Sequence, residues 1–103
     1  MRFRVVFAPE AHEDFSSLSA RARAEVRDAI NRHLVHQPTQ VSRSRIKRLR
    51  GARQPQYRLR VGDVRVFYDV RDDEVDVLAI VEKPEAADWL KRTGVFDEES
   101  CTG

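Results

Sequence analysis

Cysteine is almost missing from this chain of 103 residues: Cys101 is the only one, which excludes an internal disulfide framework and a cysteine-rich metal site. The three histidines, His12, His33 and His36, lack the spacing of a usual zinc site, so neither a metal nor another cofactor is expected. Long apolar runs are missing too. The longest, residues 5–8 and 77–81, stop far short of the ~20 residues that cross a bilayer, and no membrane partner is expected. Residues 1–5 pass straight into alternating polar and apolar side chains with no apolar stretch and no cleavage site behind it. No secretory leader is therefore expected, and a cytoplasmic location fits the cysteine usage.

Charge is plentiful, and its distribution says more than its sum. The net charge is +2, yet residues 21–65 carry thirteen Lys and Arg against three acids, and residues 66–103 carry four against eleven. Arg43, Arg45, Lys47, Arg48, Arg50, Arg53, Arg58 and Arg60 follow one another with no intervening carboxylate. Arginine outnumbers lysine sixteen to three, and its planar fork holds phosphate oxygens in pairs or stacks on a base. The basic block points to a ligand with several phosphates, with Arg43, Arg45, Arg48, Arg50 and Arg53 as candidate RNA contacts and Tyr57 as a stacking candidate. The bland alternative is a solvated face balanced by the acidic final third. Phe67 and Trp89 read first as core residues.

Periodicity gives the elements. Residues 2–8 read as a strand ended by Pro9. Residues 9–18 form a short helix with Ala11, Phe15 and Leu18 on one face. Ser19 caps a longer helix over 20–36, with Val26, Ile30 and Leu34 inward. The basic stretch 41–55 has room for one short strand at most. Residues 56–61 and 64–70 alternate around the turn at Gly62 and Asp63, and a further turn at Asp72 and Asp73 leads into a strand over 74–81, giving an antiparallel meander. Pro84 opens a last short helix, with Ala87 and Leu90 set to cover the sheet, ending before Gly94. The fold class is α+β: a small, mostly antiparallel sheet packed by two N-terminal helices and a short C-terminal one. One domain over residues 1–94 and an acidic, flexible tail over 95–103 are expected.

The segments 4–11, 46–51, 57–68 and 73–78 resemble the RelE/ParE toxins of bacterial type II toxin–antitoxin systems over roughly residues 2–92, the hairpin being the most specific part. The resemblance implies the RelE-like fold and a cognate antitoxin that shares a hetero-oligomer with the toxin. In the RelE branch it implies an endoribonuclease that enters the 30S A site and cuts mRNA without a metal, leaving a 2′,3′-cyclic phosphate and stopping translation. In the ParE branch it implies inhibition of DNA gyrase, and a degenerate member that only binds its antitoxin is a third possibility. The family's basic positions fall on Arg58 and Arg60, and its phosphate-binding arginine on Arg65. Arg58 and Arg60, two apart on a strand, share a face. Lys83 stands where RNase members carry an arginine, and Lys47 is the other lysine near the basic surface. The tyrosine that follows in those members has no counterpart here.

Overall fold

The computed structural model describes residues 2–96; the acidic end 97–103, with Cys101, lies outside the described residues. Strand β1 (Arg4–Phe7) is followed by helix α1 (Pro9–Ser17), started by proline at its first turn, and helix α2 (Ala20–Ala29). The Ser19 hydroxyl accepts from the Ala22 amide at 3.1 Å, satisfying a donor that the start of α2 would leave orphaned. Where one helix over 20–36 is expected, α2 widens into a π-turn over Ile30–Leu34, with Val35 N–H donating to the Ile30 carbonyl at 3.1 Å. The wider turn carries the buried stripe on through Ile30 and Leu34.

The basic stretch holds two short strands rather than one, β2 (Ile46–Arg48) and β3 (Ala52–Gln54). Then come β4 (Tyr57–Val61), β5 (Val64–Arg71), β6 (Glu74–Glu82), helix α3 (Lys83–Thr93) and β7 (Val95–Phe96). The main sheet has the order β1-β6-β5-β4-β2, with β1 and β6 parallel and the other pairs antiparallel. Val95 and Phe96, assigned to the tail by composition, pair instead with β3 in a second, two-stranded sheet. The left-handed residues sit where the turns need them: Gly62 at φ 58° between β4 and β5, Asp72 at φ 54° between β5 and β6.

The sheet separates two cores. Leu59, Val61, Val64, Val66, Tyr68, Val75, Val77 and Ile80 face α1 and α2 and meet Ala11, Val26, Ile30 and Leu34. On the other face Phe67 and Ala79 meet Trp89 of α3. Register slips between Phe67, opposite Ala79, and Tyr68, opposite Val77. This bulge at Leu78 lets Leu78 and Ala79 both turn towards α3 before alternation resumes at Ile80. Helix α3 covers this face with Ala86, Trp89 and Leu90, while Ala87, expected inward, is exposed.

The Tyr68 side chain is fully buried, and its hydroxyl donates to the Pro38 carbonyl at 2.6 Å. Burial, then the neighbouring Tyr57, pushes its pKa up and keeps the proton in that bond. Tyr68→Phe leaves a buried carbonyl without its donor and is expected to cost about 1–2 kcal/mol in urea unfolding with an unchanged slope. A cost near zero would show that the loop after α2 does not depend on this tether.

Candidate phosphate-binding groove

Alternation along β4 and β5 turns Arg58, Arg65 and Phe67 away from α1 and α2, onto the face that α3 only partly covers. Between that face and α3 lies a groove of about 290 Å³ lined by Leu49, Arg58, Arg65, Phe67, Lys83, Ala86, Ala87 and Leu90. Three cations line it, with no carboxylate, histidine or tyrosine among the lining side chains. Lys83 arrives there because the first amide of α3 donates to the Asp63 carbonyl at 2.7 Å, seating the start of the helix on the β4–β5 turn.

Arg65 is only 7% exposed, and its Nη1 donates to the carbonyls of Gly62 at 2.9 Å and Val64 at 3.1 Å. Arg58 has no such support. Its Nε is buried without a hydrogen-bond partner, and burial, then the charges of Arg65 and Arg60, holds its pKa below the usual arginine range. A guanidinium stays protonated in any case, so a group that relieved this site would have to be an anion. Cross-strand register adds to the repulsion: Lys47 stands opposite Arg58, and Arg60 opposite Arg65. Like charges directly opposite one another destabilise a sheet, and an anion bound between them would offset that cost.

Arg58, Arg65 and Lys83 therefore meet in the groove, with exposed Lys47 on its rim beside Arg58. Arg60 shares the face by register but lines a neighbouring depression with Ser44, Arg45 and Gly62. Arg43, Arg50 and Arg53 are exposed outside both hollows. The structure separates Arg48 and Tyr57 from the groove and joins them to each other. Arg48 Nη1 donates to the carbonyls of Leu49 at 2.9 Å and Gln56 at 2.8 Å, and its guanidinium lies 5.4 Å from the Tyr57 ring centre. Tyr57 stacks on Tyr68 at 5.5 Å, on the opposite face of the sheet from Arg58.

Trp89 is buried, stacked on Phe67 at 4.8 Å and 14°, with its indole N–H donating to Glu10 at 3.2 Å. It serves as a pillar under α3, and its ring is not open to a base. Leu49, Ala86 and Leu90 form the apolar wall of the groove and are not among the sequence-predicted site residues; the signal for Ala86 and Leu90 is their four-residue spacing on the last helix, and that for Leu49 is its place as one of two large apolar side chains in the basic stretch. Among the described residues, no three His, Cys, Asp or Glu side chains gather in a way that could hold a metal ion. Nor is any described helix long and apolar enough to cross a membrane.

A sequence profile described as "ParE toxin of type II toxin-antitoxin system, parDE" matches residues 5–85, a span that takes in the hairpin arginines and Lys83. The chain belongs to this family. It is a toxin of a type II toxin–antitoxin system, of RelE/ParE type, with the α+β fold that the sequence predicts. The RelBE2 toxin–antitoxin complex of Mycobacterium tuberculosis contains a similar chain: 25% identity, TM-score 0.66, covering 80% of this chain and 99% of that one. The RelB–RelE complex of Methanococcus jannaschii gives 19% identity and a TM-score of 0.62, with coverage of 82% and 96%. A mutant of the Escherichia coli toxin RelE in the free state gives 18% and 0.57, with coverage of 90% and 99%. At those identities the last two speak for the fold alone. No curated protein matches the sequence.

Proposed function

We propose that this toxin is an endoribonuclease that cuts mRNA in the ribosomal A site, with the scissile phosphate seated between Arg58, Arg65 and Lys83. The observation that carries the reading is the Arg58 guanidinium, desolvated and repelled by Arg65 and Arg60, with a buried donor that has no acceptor. In the reaction the 2′-oxygen of the ribose attacks the adjacent phosphorus as the bond from phosphorus to the 5′-oxygen breaks. The 2′-hydroxyl proton leaves, the departing 5′-oxygen gains one, and a 2′,3′-cyclic phosphate remains. Charge builds on the equatorial oxygens, where fixed guanidiniums stabilise the transition state more than the ground state. Lys83 on the groove wall and Lys47 on its rim are the candidate proton carriers; the groove lining offers no imidazole or carboxylate. The solved relatives in complex with an antitoxin support such a partner for this chain too. An acidic segment laid over the unpaired cations would neutralise them in the resting cell.

The match to the ParE profile, together with a groove that has no tyrosine and an indole turned inward, favours a second reading, inhibition of DNA gyrase. Mapping RNA 5′ ends across several translated messages after induction of the toxin alone separates the two. Arg58→Met is the better control, because Arg65→Ala also removes two hydrogen bonds that hold the hairpin turn. New cuts that require translation and vanish in Arg58→Met are the expected result. Growth arrest with intact messages and a DNA-damage response would overturn the nuclease in favour of gyrase.

A further inference from the structure

The depression next to the groove holds two further arginines that the proposed reaction does not use. Its hollow of about 320 Å³ is lined by Ser44, Arg45, Arg60 and Gly62. Arg60 N–H donates to the Arg45 carbonyl at 2.8 Å, which extends the β2–β4 ladder one residue beyond the strand, and Arg60 stands opposite Arg65 on β5. Arg45, Arg60 and Arg65 thus form a row across three adjacent segments of chain. At the usual strand spacing the row spans about 10 Å from first to last. Among the described residues, neither the Arg45 nor the Arg60 guanidinium forms an ion pair or a hydrogen bond, while the Arg45 backbone N–H donates to the Ser42 hydroxyl at 3.1 Å. A carboxylate stands close by: Glu25 Oε2 comes within 3.7 Å of where a side chain at Gly62 would start, and its other oxygen is paired with Arg21 at 3.2 Å.

We propose that this hollow is a second phosphate seat, in which Arg45, Arg60 and the Ser44 hydroxyl hold the phosphate next to the one in the groove, so that a single RNA strand crosses the sheet at right angles to its strands. The inference rests on the groove being the first seat. Two stacked cationic pairs that share Arg60 cost stability unless an anion lies along the row, and a phosphodiester chain brings its charges at regular intervals. The seat gives affinity and direction to the strand without reading its bases.

The test uses the full chain and 2′-O-methyl oligonucleotides, which the proposed reaction cannot cut: a uridine dimer with one internal phosphate and a trimer with two. The wild type is expected to bind the trimer about ten-fold more tightly at low salt. Arg45→Gln, whose exposed side chain supports nothing in the fold, is expected to erase that gain and leave the dimer unchanged. The salt slope for the trimer should fall by about 0.7, the share of one phosphate on a single strand. Arg45→Lys should restore part of the gain, and Arg58→Met should weaken both ligands. A wild type with no preference for the trimer, or an Arg45→Gln variant that keeps the preference, would overturn the second seat while leaving the groove standing. An Arg58→Met variant that binds both ligands like the wild type, or a wild type that binds neither, would overturn the groove and the second seat together.

Discussion

Arg58→Met is expected to make the toxin more stable and almost inactive. In the free protein the Arg58 guanidinium is partly desolvated, repelled by Arg65 and Arg60, and left with a buried Nε that donates to nothing. Each of these terms is unfavourable to the fold. Methionine keeps the length of the side chain beside Leu49 and Phe67 and removes both the charge and the orphan donor. A gain of about 1 kcal/mol is expected, which for a domain of this size moves the thermal midpoint up by roughly 4–8 °C. Under the proposed nuclease reading the same change also removes a donor to the reacting phosphate, and losing one such donor typically lowers turnover about 10²–10³-fold. Thermal denaturation of the free toxin and cleavage on programmed ribosomes measure the two effects separately. A variant that is less stable and still active would show that Arg58 belongs to the scaffold. Opposite signs for stability and activity would mark it as a residue kept in place for a ligand.

Arg65 makes the contrast. Its two bonds to the carbonyls of Gly62 and Val64 hold the turn, so its removal mixes structural and functional loss. Alternation along β5 put Arg65 on the same side as Phe67, and the turn at Gly62 and Asp63 was legible from composition; how deeply Arg65 would be buried was not. Burial depends on α3, whose first amide reaches back to Asp63, a contact across twenty residues that no local pattern encodes. Lys83 joins the groove for the same reason. The hairpin, the meander and the cap at Ser19 were legible because period-two alternation, left-handed turn residues and a capping hydroxyl act within a few residues of one another. Strands β3 and β7 were not, since three and two residues are too few to show a period and each exists only by pairing with the other. Likewise Arg48 looked like one more cation in a basic run. Only the fold shows that two backbone carbonyls and the Tyr57 ring occupy it.

Trp89→Ala carries the largest expected loss of stability. The side chain is 4% exposed, stacks on Phe67 and ties α3 to α1 through Glu10, so its removal takes away buried apolar area, an aromatic pair and the acceptor's partner at once. Tryptophan-to-alanine truncations in cores cost about 3–5 kcal/mol, and the stacked pair adds about 0.5–1.5 kcal/mol beyond its area. Against the about 5–15 kcal/mol that typical domains possess, the variant is expected to lie near the threshold of folding at 37 °C. Trp89→Phe separates the contributions: it keeps a ring against Phe67 and loses the bond to Glu10, and about 1 kcal/mol is expected. Helix α3 is also the wall that brings Lys83 to Arg58 and Arg65, so a weakened pillar loosens the groove before the sheet itself melts. Hydrogen exchange of Trp89→Phe should then show faster amides in α3 with β5 and β6 still protected. Uniform exchange across helix and sheet would mean that α3 opens only with the whole domain, and the groove would then be as rigid as the core beneath it.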